Sequence, residues 1–221
     1  MSKLTTYLEQ YALLALEKQE KLAALVNDHT SELDLDSGKI IFANRLELPF
    51  QVLGSESNNT LTWLWAWSEE QTEIPEHFLI SSLQLRDWGE QEGIEEFTIP
   101  SVDLSRADGH VLSLISSQIS SASCYYRSPY EGGAVFVLIS SELVDRQPPF
   151  GLDGLSRQFT DLISRYEFNH RNALVSYLRA NNLLFTEKGP FISVKLVTGE
   201  KLIAEFDGQG RLKTIDGENE S

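Results

Sequence analysis

The stretch Thr60-Leu61-Thr62-Trp63-Leu64-Trp65-Ala66-Trp67 carries three tryptophans at alternate positions. Successive side chains of a β-strand point to opposite faces, so this spacing predicts a strand with Trp63, Trp65 and Trp67 on one face. The leucine and alanine between them make the other face apolar as well, which is typical of a central strand covered on both sides. The stretch therefore predicts a sheet with a strongly aromatic interior strand.

Two interpretations of the tryptophan face remain open. In the first, the three indoles are core residues, and the apolar opposite face favours this interpretation. In the second, they line a pocket for a flat or apolar ligand, since each indole offers about 150–250 Å² of contact area. The segment after the strand is acidic and carries Glu69, Glu70, Glu73 and Glu76. An aromatic strand that leads into an acidic loop is the candidate binding surface.

Patterns on either side of this stretch predict the other elements. Apolar residues recur at helical spacing over residues 4–28, and helices are also predicted around 75–88 and 107–121. Short apolar runs joined by turn residues predict antiparallel strands. The strands predicted before residue 147 are 33–36, 40–43, 46–54, 61–67, 125–127 and 134–139. The fold class is α+β, with helices packed on a largely antiparallel sheet.

The segment Gln147-Pro148-Pro149-Phe150-Gly151 marks the clearest boundary, because proline pairs interrupt both helices and central strands. It divides a main α+β domain, residues 1–147, from a hinge at 148–154 and a C-terminal region at 155–215. That region predicts one long helix or two broken ones and then a three-stranded β-meander, packed on the main domain. Residues 216–221 are predicted to form a disordered acidic tail.

The net charge of −15 is concentrated in the first part of the chain. Residues 1–150 carry 23 acidic against 9 basic residues, whereas residues 151–221 carry 10 against 9. Such a field repels nucleic acids and anionic membranes, because both are bound through cationic surfaces. It attracts a basic protein and accelerates the encounter. The alternative is that the acidic residues only keep the protein soluble.

The sequence carries no recognisable catalytic set, metal site or cofactor motif. The four histidines, at positions 29, 77, 110 and 170, form no ligand pair, and no glycine-rich phosphate loop is present. Cys124 is the only cysteine, which indicates a buried thiol in a reducing compartment such as the cytoplasm. The first residues contain no apolar signal segment, and no stretch approaches the ~18 apolar residues of a membrane span.

The tryptophan stretch and the segment before it resemble a bacterial family of uncharacterised proteins. In that family a Leu-Gly-Ser/Thr-x-Ser turn, here Leu53–Ser57, precedes a Thr-Trp-Leu-Trp-Ala-Trp strand, here Thr62–Trp67. Tyr126-Arg127-Ser128-Pro129 and the segment Phe206–Leu212 extend the resemblance to about residues 40–215. The resemblance implies a bacterial cytoplasmic protein; it implies no reaction and transfers no functional residue.

These observations favour a non-enzymatic binding protein that uses an acidic face to engage a basic protein partner. An immunity-type protein, which neutralises a toxin, is one concrete form of this hypothesis. The alternative is a small-molecule binder or hydrolase-like enzyme in which Trp63, Trp65 and Trp67 line a pocket. The candidate binding residues are the three tryptophans together with Glu69, Glu70, Glu73 and Glu76.

Overall fold

A computed structural model describes residues 2–26, 31–71 and 74–218 of the chain. The fold is α+β with antiparallel sheets, as the sequence predicts. The described residues divide into two compact units. One contains residues up to 17 together with those from 147 onward, and the other contains residues 18–146. No helix in the described ranges is long and apolar enough to cross a membrane.

The unit formed by residues 18–146 contains the larger of the two sheets and several helices. Its strands are β1 (Ser31–Asp34), β2 (Lys39–Phe42), β3 (Glu47–Ser57), β4 (Thr62–Trp65), β5 (Ser101–Asp103), β6 (Cys124–Tyr130) and β7 (Gly133–Ile139). Its helices are the second part of α1 (Lys3–Val26), then α2 (Ile80–Glu92), α3 (Glu95–Thr98), α4 (Gly109–Ile119) and α5 (Glu142–Asp145). A short 3₁₀ helix, Glu76–Phe78, precedes α2.

The long strand β3 organises this sheet. Its residues 54–57 pair with β4 and also with β7, so the two strands lie on opposite edges of β3. Strands β2 and β1 continue from the start of β3, β5 follows β4, and β6 follows β7. All of these pairings are antiparallel, as expected for strands joined by short turns. Strand β4 therefore lies between β3 and β5 rather than at an edge.

Helix α2 begins later than the helix predicted at 75–88. Pro75 precedes the 3₁₀ helix, and the α-helical hydrogen bonds start only after Leu79. The helix ends at Gly93, which adopts the left-handed conformation with a φ of 64°. A glycine takes up this conformation without steric cost, which explains why the helix stops there. Helix α4 is bounded by Asp108, whose Oδ1 accepts a hydrogen bond from the amide of Val111.

The other unit contains the first part of α1, two further helices and a four-stranded antiparallel sheet. The helices are α6 (Leu152–Arg165) and α7 (His170–Ala180). The strands, in the order β11-β10-β9-β8, are β8 (Phe185–Lys188), β9 (Phe191–Lys195), β10 (Lys201–Phe206) and β11 (Leu212–Glu218). The meander thus has a fourth strand that the sequence did not predict. Strand β8 is a mostly exposed edge strand, so it lacks the apolar alternation that marks a strand.

The helical region of this unit takes the second of the two forms that the sequence left open, two helices instead of one, and part of the predicted tail is a strand. The helical region is broken into two helices because Asn169 caps α7, its Oδ1 accepting a hydrogen bond from the amide of Asn172. Residues 216–218, predicted as part of a disordered tail, belong to β11 and pair with 201–203 of β10. The remainder of that tail, 219–221, lies outside the described residues.

Two buried carboxylates of α1 hold residues of this unit together. Glu9 accepts hydrogen bonds from the amide of Asn169 at 2.8 Å and the side chain of Asn172 at 3.0 Å. Glu17, which is 1% exposed, accepts from the amide of Phe150 at 3.0 Å and from the hydroxyl of Tyr177. These contacts join the residues up to 17 to the C-terminal residues with which they form one compact unit.

The predicted hinge at 148–154 is also fixed at two points. The amide of Phe150 donates to Glu17, and the amide of Leu152 donates to Glu200 at 3.0 Å. Helix α6 starts at Leu152, inside the segment predicted as a hinge. The prolines interrupt secondary structure as expected, but the backbone around them is tied to side-chain carboxylates.

Candidate functional site

Trp63 and Trp65 lie in the interior of the unit formed by residues 18–146. Both are 0% exposed, and their rings contact each other with centroids 5.4 Å apart. The ring of Trp63 also contacts Phe136 at 5.2 Å, and the ring of Trp65 contacts Phe97 at 5.1 Å. The indole nitrogen of Trp65 donates a hydrogen bond to the backbone oxygen of Glu96 at 2.9 Å. Neither indole presents a surface to a ligand while this core is closed.

Trp67 lies beyond the end of β4, which stops at Trp65 rather than continuing to residue 67 as predicted. The amide of Ser68 donates to the backbone oxygen of Trp65 at 3.0 Å, so the chain turns where the strand was predicted to continue. The ring of Trp67 is half-buried and stacks on Trp65 with centroids 6.4 Å apart. The three indoles are therefore neighbours, and Trp67 is the one nearest the surface.

Gly54 makes room for the indole of Trp63. A Cβ atom at position 54 would lie 2.5 Å from Cζ2 of Trp63 and 2.6 Å from the backbone oxygen of Leu64. Both separations are far below van der Waals contact, so only glycine fits without displacement. The glycine follows a register shift between Val52 and Gly54 in the pairing with β7. The segment Leu53-Gly54-Ser55 and the tryptophan strand therefore pack directly against each other.

We expect Gly54→Ala to lower the free energy of unfolding by about 2–3 kcal/mol, because the added methyl group must displace an indole and a backbone carbonyl. Chemical denaturation monitored by tryptophan fluorescence would measure the change. Gly208→Ala is the matched control, since no atom lies within 4 Å of a Cβ at that position. The control should stay within about 0.5 kcal/mol of the parent. Equal stability of the two variants would contradict the proposed packing.

The acidic residues after the strand lie on the surface. Glu69 and Glu70 are exposed in the turn that follows β4, and Glu76 is exposed at the start of the 3₁₀ helix. Glu73, the fourth predicted residue, lies outside the described residues. The predicted site therefore separates into an interior part, the indoles, and an exterior part, the carboxylates.

The side chain of Arg86 on α2 contacts both Trp67, just before the acidic turn, and Asp87 on its own helix. Its Cζ atom lies 5.4 Å from the centre of the Trp67 ring, and its Nη2 atom lies 3.5 Å from Oδ1 of Asp87. One helical turn later, Glu90 is exposed on α2. In the part of the chain that the structure describes, Glu69, Glu70, Glu76 and Glu90 form no ion pair. We call these four residues the acidic surface.

The neighbouring acidic pair on α3 differs from the acidic surface. Arg106 lies 2.8 Å from Oε2 of Glu95 and 3.0 Å from Oε1 of Glu96, so one guanidinium neutralises much of this pair. The sequence alone could not separate these two sets of acidic residues, because ion pairing between helices and loops cannot be read from spacing along the chain.

The described residues offer little reactive chemistry. Burial raises the pKa of the Cys124 thiol to about 12, so this cysteine stays protonated and unreactive at neutral pH. Cys124 is 1% exposed, which agrees with the interpretation of a buried thiol. Within the described ranges, no group of three His, Cys, Asp or Glu side chains is placed to hold a metal ion.

A family model described as a family of unknown function, DUF6882, matches residues 5–142. The chain belongs to this family. The match confirms the resemblance to a family of uncharacterised proteins, and it begins in α1 and ends at the start of α5. Searches among curated proteins and among solved structures returned no match.

The DUF6882 match contains both parts of the candidate site. Gly54, the buried tryptophans and the acidic surface all lie between residues 5 and 142. Most of the unit that holds α6, α7 and the four-stranded sheet lies outside the match. The aromatic interior and the acidic surface of this chain therefore both lie within the matched residues.

Proposed function

We propose that the protein is a non-enzymatic binding protein whose acidic surface engages a basic protein partner. The observation that carries the proposal is that Glu69, Glu70, Glu76 and Glu90 are exposed and make no ion pair in the described part of the chain. Carboxylates that no internal cation neutralises are available to lysine and arginine side chains of a partner. Glu73, in the same segment, is included in the proposal.

The physical basis is long-range attraction followed by short-range pairing. A patch of one charge sign accelerates the encounter with a partner of the opposite sign, and the effect weakens as salt is added. Charge complementarity also excludes anionic partners such as nucleic acids. An immunity-type protein that binds a basic toxin in the bacterial cytoplasm is one form of this function. The resemblance to a bacterial family and the buried single cysteine support that setting.

The alternative of a tryptophan-lined pocket gains no support from the positions of Trp63 and Trp65. Both are fully buried, and their rings pack against Phe136 and Phe97. Trp67 is half-buried, but the Arg86 side chain lies over its ring. We therefore assign recognition to the carboxylates outside and packing to the indoles inside.

We expect the triple variant Glu69→Lys/Glu70→Lys/Glu76→Lys to lose capture of a basic partner at low ionic strength. Each exposed charge pair contributes about 0.2–1 kcal/mol, and reversal adds repulsion. The three changes together should weaken binding by about 30-fold or more. The measurement is a pull-down at low salt, with the captured protein identified by mass spectrometry. The dissociation constant is then measured with the purified partner.

A matched variant separates the acidic surface from net charge alone. Glu32→Lys/Asp36→Lys/Glu131→Lys changes the charge by the same amount, and all three residues are exposed in the same unit. This control should bind the partner within about threefold of the parent protein, because long-range effects are weaker than local ones. Equal loss of binding in both triples, or no loss in the first, would refute the assignment.

A further inference from the structure

A cavity of about 210 Å³ lies in the unit formed by residues 18–146, apart from the acidic surface. Three elements line it: the end of α1, the start of α4 and the strand β6. The lining residues are Gln19, Leu22, Ala23, Val26, His110, Tyr125, Tyr126 and Arg127. The lining thus combines aliphatic side chains of α1, aromatic side chains of β6 and the polar groups of Gln19, His110 and Arg127.

Arg127 gives this cavity its charge. Its Cζ atom lies 5.9 Å from the centre of the buried Phe136 ring, and its backbone pairs with Phe136 in the β6–β7 ladder. The segment 18–146 contains 21 acidic against 8 basic residues. Nevertheless, Arg127 forms no salt bridge with any residue that the structure describes. A half-buried guanidinium that pairs with none of the described carboxylates, in so acidic a unit, is suited to an external anion.

The polar groups around Arg127 are held in place. The amide of Tyr125 donates to Oε1 of Gln19 at 2.9 Å, which fixes the side-chain amide of Gln19 beside the cavity. The hydroxyl of Tyr125 lies 2.9 Å from Nδ1 of His110, and the His110 ring packs edge-on against Phe136 at 5.5 Å. Fixed donors lower the cost of binding, because few side chains have to become ordered.

The size and the apolar wall restrict the ligand. A cavity of about 150 Å³ accepts benzene, so about 210 Å³ accommodates one ring or branched chain with a small acidic group. Leu22, Ala23 and Val26 offer no polar contact, and an inorganic anion would leave that wall unused. The ring of Tyr126 packs edge-on against the buried Phe42 at 5.2 Å, which holds the aromatic wall in place.

We propose that this cavity binds a small carboxylic acid with an apolar body. The carboxylate pairs with Arg127 and accepts a hydrogen bond from the amide nitrogen of Gln19. The apolar body lies against the aliphatic residues of α1 and the ring of Tyr126. This function is independent of the acidic surface, since no residue of that surface lines the cavity.

Phenylacetate is the probe, because it combines one ring with one carboxylate. We expect saturable binding to the full chain with a dissociation constant on the order of 1 mM, the range for a ligand of this size. Amide chemical shifts of β6 and the end of α1 report the binding. Phenylacetamide, which is neutral and similar in shape, should bind at least about tenfold more weakly. Inorganic phosphate and acetate should also bind at least about tenfold more weakly, because neither fills the apolar part.

Two variants test the site independently. Arg127→Gln removes the charge, and Ala23→Phe fills the cavity from the exposed face of α1. Each should weaken phenylacetate binding at least about tenfold while the thermal unfolding temperature shows that the protein is folded. Arg106→Gln is the matched control, since it removes an arginine that does not line the cavity. This variant should bind phenylacetate like the parent protein.

The proposal is overturned if phenylacetate does not bind at about 10 mM or if phenylacetamide or phosphate binds equally well. Unchanged binding in both Arg127→Gln and Ala23→Phe would overturn it as well.

Discussion

Trp65→Ala should lower the free energy of unfolding by about 3–5 kcal/mol. The side chain is 0% exposed, contacts three aromatic rings and donates its indole hydrogen to the backbone oxygen of Glu96. Truncation removes the buried apolar area, leaves a cavity and leaves that oxygen without its donor. Urea denaturation monitored by circular dichroism measures the difference between the variant and the parent.

A substitution at an exposed position of the same unit serves as the control for Trp65→Ala. Ile80 is 52% exposed at the start of α2, so Ile80→Ala should change the free energy of unfolding by less than about 1 kcal/mol. Trp65→Phe should fall between the two, because it keeps an aromatic ring but loses the hydrogen bond. If Trp65→Ala lowers the free energy of unfolding by less than about 1 kcal/mol, this indole is not a core residue. That result would favour the hypothesis of a tryptophan-lined pocket.

Glu17→Ala should lower the free energy of unfolding by about 2–5 kcal/mol. The carboxylate accepts hydrogen bonds from the amide of Phe150 and the hydroxyl of Tyr177, and both Glu17 and Tyr177 are 1% exposed. Each buried donor left without an acceptor costs about 1–3 kcal/mol. Gln10→Ala, an exposed position on the same helix, should stay within about 0.5 kcal/mol of the parent.

A double-mutant cycle with Tyr177→Phe isolates the side-chain contact. The two substitutions should be strongly non-additive, because the second removes a hydrogen bond that the first has already broken. Burial, followed by the charge of Glu17, raises the pKa of Tyr177 above its ordinary value of 10.0. The stability that this hydroxyl contributes should therefore be present below about pH 10 and decline as the pH rises further, and Tyr177→Phe should lack this decline. Additive effects would contradict the contact.

The elements with a clear periodic pattern could be predicted from the sequence. Strand β10, Lys201–Phe206, is one strand of the predicted meander, because its apolar residues alternate between two turns that contain glycine. Strand β7 differs from its prediction only at Gly133, since a continuous apolar run is strongly typical of a covered strand. The long helix at the start also follows its apolar stripe: α1 spans Lys3–Val26, and residues 27–28 of the predicted range 4–28 lie outside the described residues.

The features that escaped prediction depend on contacts between distant residues. Strand β8 is polar and is defined by its pairing with β9, and β5 has only three residues. The first part of α1 belongs with α7 through Glu9 and Glu17, which nothing in a local pattern indicates. The cavity at Arg127 collects residues from three separate segments, so neither its donors nor its apolar wall could be grouped from the sequence.

The candidate site was predictable in part. Alternation correctly placed Trp63 and Trp65 on one face of a strand, and the acidic run correctly indicated an exposed segment at Glu69, Glu70 and Glu76. The spacing could not show that the strand ends at Trp65, because the turn is set by backbone hydrogen bonds. It also could not show which acidic residues lack an internal cation, because that depends on where Arg86 and Arg106 fold.

The interior position of the tryptophans and the binding role of the acidic surface can be tested together in one titration. A lysine-rich peptide of about 20 residues, long enough to span several charges, would be added to the ¹⁵N-labelled chain at low salt. We expect the backbone amides of Glu69, Glu70 and Glu76 to shift in a saturable way, while the indole N–H signals of Trp63 and Trp65 stay in place. Shifts of those two indole signals with unmoved glutamate amides would show that the peptide reaches an open aromatic cleft, and would contradict both assignments.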